Sequence, residues 1–237
     1  MHDLQPHNQT KLFGLSKFMN DLVRLNVQSN LPNKILLSGP KGIGKSTLAY
    51  HFINFVLSKD EKFKYDLNKF QINPENKTFK TTLNKSNPNL IVIDIESEKK
   101  NIDINQIRKL ILDLNKSSFN NKPRFVLIDN IEYALLKVLE EPNSNIFFLL
   151  INSNKKILST LSSRCINFKI NLSHQESKTI SEQIFNANLN DVINKDLVNY
   201  YSTPGSIFHL VKLGKINDYN LIDLNLKKLL KTLIQDN

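Results

Sequence analysis

The chain is predicted to fold as an α/β domain, a mostly parallel sheet flanked by helices, followed by a small all-helical domain. Three observations carry this. Short apolar runs at 34–38, 90–95, 124–129, 146–151 and 165–170 alternate with helix-period segments, which implies parallel strands joined by crossover helices. A glycine-rich loop separates the first run from the helix after it. From Ser173 onward only helical patterns remain. The boundary falls near Asn171, giving domains at 1–171 and 172–237.

Each element has its own signal. Leu15 to Leu25 is amphipathic at helical spacing. Lys34 to Ser38 is a short apolar strand, and Leu48, Phe52, Phe55 and Val56 then fall on one helix face. Residues 59–88 are polar and weakly periodic, so they read as an exposed insertion with at most small elements, either mobile or held by a few apolar anchors such as Phe63, Tyr65 and Phe70. The run Leu90 to Ile95 is continuously apolar, as expected of a strand covered on both faces. Asp103 can cap a helix whose stripe is Ile104, Ile107, Ile111 and Leu114. Further strands are expected at Arg124 to Asp129, Ile146 to Ile151 and Cys165 to Ile170. Helices are expected at Ala134 to Glu140, stopped by Pro142, and near Lys155 to Leu161. In the C-terminal part Ser173 and Glu176 have the spacing of a capping box. Helices follow at Asp191 to Tyr201, Pro204 to Leu213 and Leu221 to Ile234.

Composition narrows the function classes. Hydrophobic residues make up 40% and charged residues 23%, enough apolar material for a packed core. No apolar run reaches the ~18 residues of a membrane span, and the N-terminus lacks a signal-peptide hydrophobic region, so a cytoplasmic protein is expected. One cysteine, Cys165, excludes an internal disulfide or a cysteine-cluster metal site. The net charge of +10 rests mainly on lysine, beside abundant asparagine and isoleucine. That is the pattern of AT-rich codon usage, to which a DNA-facing surface would be an addition. Against this lysine background the four arginines (Arg24, Arg108, Arg124, Arg164) are the candidate places for a planar, forked donor.

Gly39-Pro40-Lys41-Gly42-Ile43-Gly44-Lys45-Ser46 matches the phosphate-binding loop G-x-x-x-x-G-K-[ST] in full. Its glycines let backbone N–H groups approach phosphate oxygens. Lys45 supplies a point charge for the β and γ phosphates, Ser46 a hydroxyl for Mg²⁺, and Thr47 continues into a helix whose positive end faces the anion. ATP or ADP with Mg²⁺ is the expected cofactor. Phe125 to Asp129 is an apolar strand ending in an acid, the Walker B form, so Asp129 is the second expected Mg²⁺ group. The next residue, where many ATPases carry a water-orienting glutamate, is Asn130, which cannot accept a proton.

Downstream, Leu135-Leu136-Lys137-Val138-Leu139-Glu140-Glu141-Pro142 and Leu161-Ser162-Ser163-Arg164-Cys165 complete a set with the phosphate loop and the Asn89–Ile93 and Asp103–Arg108 stretches. Together these resemble AAA+ clamp-loader subunits, and among them the delta-prime subunits of bacterial DNA polymerase III, from about Leu12 to His209. The resemblance implies a phosphate-loop AAA+ module with a helical lid. It also implies a hetero-oligomeric ring with other clamp-loader subunits, which loads a sliding clamp on primed DNA. By the same resemblance Arg164 is a trans finger for a neighbouring subunit's ATP site. The γ-phosphate sensor falls at Asn152-Ser153-Asn154, with Asn154 the expected contact. No membrane partner is implied.

Departures from the family qualify this. The family's four-cysteine zinc module has no counterpart in residues 59–88, so no zinc is expected. Some seven or eight family residues are missing between Tyr133 and Ala134. The lid's second-sensor arginine, expected just after Pro204-Gly205, is Ser206, and Asn237 lies near where a helical collar begins. A delta-prime-like subunit with weak hydrolysis of its own is the reading that results. The alternatives are a stand-alone AAA+ ATPase of DNA repair or replication initiation, and a scaffold with a relic phosphate loop.

Overall fold

Five strands form one sheet: β1 (Lys34–Ser38), β2 (Leu90–Ile93), β3 (Arg124–Asp129), β4 (Ile146–Asn152) and β5 (Ile166–Lys169). Their order is β2-β3-β4-β1-β5 and every neighbouring pair is parallel. The computed structural model describes residues 4–94, 104–114, 121–129, 145–153 and 162–235. The helices are α1 (Ser16–Val27), α2 (Lys45–Leu57), α3 (Lys77–Leu83), α4 (Ile104–Leu114), α5 (His174–Phe185), α6 (Lys195–Val198), α7 (Pro204–Ile216) and α8 (Leu226–Gln235). The predicted fold class, helices around a mostly parallel sheet and then a helical segment, is what the chain adopts. The expected helices at 134–140 and 155–161 lie outside the described residues, as does Asp103.

Two compact units divide the chain: Asp3–Gly39 with Lys45–Ile170, and Pro40–Gly44 with Asn171–Asn237. In the larger unit, side chains alternate across the sheet as strand geometry demands. On one face Leu36, Val126, Ile128, Phe148 and Leu150 meet Leu110 and Leu114 of α4. On the other, Phe52 of α2 packs edge-on against Phe125, ring centroids 6.2 Å apart. Fully burying a side chain of this size stabilises the fold by roughly 1.5–3 kcal/mol, so these layers fix the ends of β1, β3 and β4.

β2 departs from expectation. Its run is apolar throughout, yet only Ile93 is buried and Val92 is 47% exposed. The strand occupies the edge of the sheet, so it has one strand neighbour and less cover than a central strand.

Residues 59–83 hold more structure than a polar insertion suggests. The segment carries α3, and Asn76 caps that helix by accepting from the Phe79 N–H at 2.7 Å. The Asn76 side-chain amide also donates to Phe63 O at 2.7 Å, and Asn54 Nδ2 donates to Asn76 Oδ1 at 3.1 Å. Tyr65 is buried, as an anchor should be, with its hydroxyl 2.9 Å from His51 Nδ1. Phe63 is 39% exposed and is not a buried anchor. Polar side chains share that work with Tyr65, and hydrophobic periodicity is blind to them.

In the smaller unit Ser173 and Glu176 form the predicted capping box, with both reciprocal bonds present. The expected helix from Asp191 to Tyr201 shrinks to α6, because Asn188 and Asn194 each cap a short turn instead of extending one helix. Leu189, Ile193, Ile207, Val211, Leu221 and Leu229 make the core of this unit.

Candidate functional site

The phosphate loop begins with Gly39 directly after the carboxyl end of β1, the end of a strand at which open parallel sheets bind ligands. Gly39, Gly42 and Gly44 have φ of 147°, 85° and 90°, conformations that side-chain-bearing residues rarely adopt. The Gly39 N–H donates to Asn152 O at 3.3 Å, tying the loop's first residue to the end of β4. Lys45 opens α2, is buried, and donates from Nζ to Gly39 O at 2.9 Å. Ser46 donates from Oγ to Asp129 Oδ2 at 2.6 Å. The tip, Pro40 and Lys41, is exposed, whereas Ile43 is buried and Thr47 half-buried.

Electrostatics set the site apart from the surrounding surface. Burial pulls the Lys45 ammonium down to about 8, and the nearby Asp129 carboxylate only partly offsets that. The Tyr50 hydroxyl is pushed up to about 12 by burial first, then by the charges of Asp129 and Asp94. Asp94 follows directly on the end of β2, so two strand ends bring carboxylates to one edge of the sheet. Composition and spacing gave no reason to single out Asp94, since its place depends on strand order.

Arg164 stands elsewhere. It is exposed in the turn before β5, and its charge together with that of Lys34 draws down a Cys165 thiol that burial raises more strongly. Ile166 pairs with Ile35 and Lys169 with Ser38, and both strands run the same way. Arg164 therefore lies beyond the amino-terminal end of β5, at least three strand residues, ~10 Å, short of the level where the phosphate loop begins. The structure brings Lys45, Ser46 and Asp129 together and leaves Arg164 at the opposite edge of the sheet.

Asn130 and Asn154 lie outside the described residues, as does the 135–142 stretch. Asn152, in the expected sensor region, is buried at the end of β4. Ser206 has its hydroxyl engaged by the cap of α7, donating to Thr203 O at 2.9 Å. Gly205 was not expected to matter beyond marking the lid. Within the smaller unit its N–H donates to Gly42 O at 2.8 Å, and a Cβ there would fall 2.7 Å from the Gly42 Cα. With only six glycines in the chain, glycine scarcity was the signal available for that position.

A family model described as DNA polymerase III, delta subunit, matches residues 14–174, more than half of the chain. The chain belongs to this family. Membership bears out the resemblance to clamp-loader subunits of the delta-prime type. DNA polymerase III subunit gamma/tau of Mycoplasma genitalium is 26% identical over 227 residues, which is 92% of this chain and 34% of that protein. DNA polymerase III subunit delta' of Buchnera aphidicola subsp. Baizongia pistaciae is 35% identical over 103 residues, 39% of this chain and 31% of that protein. The chain thus spans about a third of the length of these curated relatives. Among solved structures, a gamma subunit-related protein of Thermotoga maritima is 20% identical, covering 68% of this chain and 49% of its own, with a TM-score of 0.40. Among the described residues no helix is long and apolar enough to cross a membrane.

Proposed function

We propose that this member of the DNA polymerase III delta subunit family is a delta-prime-like clamp-loader subunit that binds a nucleoside triphosphate and lends Arg164 to a neighbouring subunit. The observation that carries the reading is the separation of the two groups. Lys45, Ser46 and Asp129 converge at the carboxyl edge of the sheet, while Arg164 lies before β5 at the other edge, away from its own phosphate loop. Arg164 is exposed, and at a second subunit's phosphates a guanidinium fork can bridge oxygens as charge develops. Its partners would be other clamp-loader subunits, with the sliding clamp and primer-template DNA engaged through the assembly.

Two hard oxygens 2.6 Å apart, Ser46 Oγ and Asp129 Oδ2, are a donor set that fits Mg²⁺, which takes one or two protein oxygens and completes its shell with phosphate and water. Bound there, Mg²⁺ would neutralise β- and γ-phosphate charge. Lys45 would exchange its bond to Gly39 O for the phosphates, and the glycine backbone would supply N–H donors. Hydrolysis at this site is expected to be slow, since Asn130 cannot take a proton from water and Ser206 spends its hydroxyl on a helix cap. Calorimetry with ATP and Mg²⁺ tests the reading. Wild type should bind and Lys45→Ala should bind at least tenfold more weakly. Equal affinity of the two proteins would overturn nucleotide binding at this loop, and fast turnover by the isolated chain would favour a stand-alone ATPase.

A further inference from the structure

The residues that follow α2 build a groove that the nucleotide reading does not use. It has a volume of about 1000 Å³ and lies between the end of α1, the end of α2 and residues 59–74. Its floor is apolar, with Phe55, Ile72 and the 71% exposed Val27 among its lining. Around it stand four exposed lysines, Lys59, Lys62, Lys64 and Lys69.

The four lysines outnumber the acids of the same stretch, Asp60, Glu61 and Asp66, and two of those acids are held in backbone hydrogen bonds. Asp66 is the one acid lining the groove, and its Oδ1 accepts from the backbone N–H groups of Asn68 and Lys69 at 3.0 and 3.1 Å. Glu61, close in sequence, is spent on the start of α3: Oε2 accepts from the Lys77 N–H at 2.8 Å, and Oε1 from the Thr78 N–H at 3.1 Å and the Thr78 hydroxyl at 2.5 Å. Among the described residues none of the four lysines makes an ion pair. Lys62 Nζ instead lies 5.3 Å from the centroid of the Phe63 ring.

The groove is also preformed. The Asn54–Asn76–Phe63 bonds hold one wall, and the other is pinned where Leu12 N–H donates to Phe70 O at 3.0 Å and Ile72 N–H to Thr10 O at 2.8 Å. Little ordering is left for a ligand to impose, and preorganisation of this kind favours affinity.

We propose that this groove docks an extended acidic peptide segment of a partner protein, its apolar side chains on the floor and its carboxylates against the lysines. Charge complementarity calls for an anion. The apolar floor favours a peptide over a nucleic-acid strand, because a strand needs a row of exposed aromatic faces on which successive bases stack. Here Tyr65 is buried beneath, Phe55 is half-buried and packs edge-on against it with ring centroids 6.1 Å apart, and Phe63 is the one exposed ring of the lining.

Fluorescence anisotropy with the full chain tests this. The probe is a labelled peptide of about ten residues alternating aspartate with leucine or phenylalanine. The controls are the same peptide with asparagine for aspartate, and an oligothymidylate of similar length. The acidic peptide should bind, the asparagine peptide should bind at least tenfold more weakly, and the double variant Lys62→Glu, Lys69→Glu should lose the acidic peptide by a similar factor. Both substituted side chains are exposed, so an unchanged thermal melt and unchanged nucleotide binding confirm an intact fold. Absence of peptide binding, or binding indifferent to the double variant, overturns the proposal. Tighter binding of oligothymidylate with loss in the same variant replaces the peptide by nucleic acid and equally overturns it.

Discussion

Ser46 donates its hydroxyl to Asp129 across 2.6 Å, joining the first turn of α2 to the last residue of β3. A hydroxyl bonded to a carboxylate is held by a charge-assisted bond worth about 1.5–3 kcal/mol. The two residues are 83 positions apart in sequence and meet because β3 and β1 flank β4 in one parallel sheet.

Asp129→Asn keeps an acceptor for Ser46 and removes the charge. The fold should survive, with a melting temperature within a few degrees of wild type. Nucleotide affinity in EDTA should stay level, while the gain on adding Mg²⁺ should shrink by about tenfold, ~1.4 kcal/mol. Parallel titrations with and without Mg²⁺ check this, and an undiminished Mg²⁺ gain would remove Asp129 from the metal site.

Lys45 gives nucleotide binding a pH signature. Its folded-state value of about 8 lies below the ordinary 10.5, so between these limits the unfolded chain holds more protons and stability rises with pH. Phosphate beside the ammonium restores the charged form, so binding near pH 8 should take up about half a proton. Calorimetry in two buffers of different ionisation enthalpy measures the uptake, and Lys45→Met should abolish it.

His51 makes the chain acid-sensitive. Burial lowers its ring to about 4, against an opposing backbone hydrogen bond with Gln9, so the folded state holds it neutral. Between pH 6.5 and 4 the unfolded chain binds the extra proton, and stability should fall by about 3 kcal/mol as pH drops through that window. Below pH 4 this contribution levels off. Urea melts across the range should show the slope, and His51→Leu should flatten it. That variant should start about 1–2 kcal/mol less stable, because the Tyr65 hydroxyl loses its partner.

Arg164→Lys separates a trans role from a surface role. The variant should fold and bind nucleotide as wild type does, since the side chain is exposed and remote from Lys45. In an assembled clamp loader, DNA-stimulated ATPase should fall by at least tenfold, because an ammonium cannot bridge two phosphate oxygens. Full activity of the reconstituted variant would return Arg164 to the surface.

Lys34 to Ser38 and Arg124 to Asp129 were legible as strands residue for residue, and the capping box at Ser173 was legible from two side chains. These signals are local: side-chain alternation, a breaker, a cap three residues from its partner. The phosphate loop belongs with them, since closely spaced glycines at 39, 42 and 44 set its backbone. Strand order was not local, and it put Asp129 against Ser46, Asp94 near Tyr50 and Arg164 at the far edge of the sheet. It also exposed Val92 inside an apolar run, because an edge strand has only one neighbouring strand. Residues 59–76 looked featureless because their order comes from Asn54, Asn76 and His51, polar groups whose partners come from other parts of the chain. One-dimensional patterning reports what a residue does to its own helix or strand. Which strand lies beside which, and which buried polar atoms pair, is decided only when distant segments pack and every desolvated donor must find an acceptor.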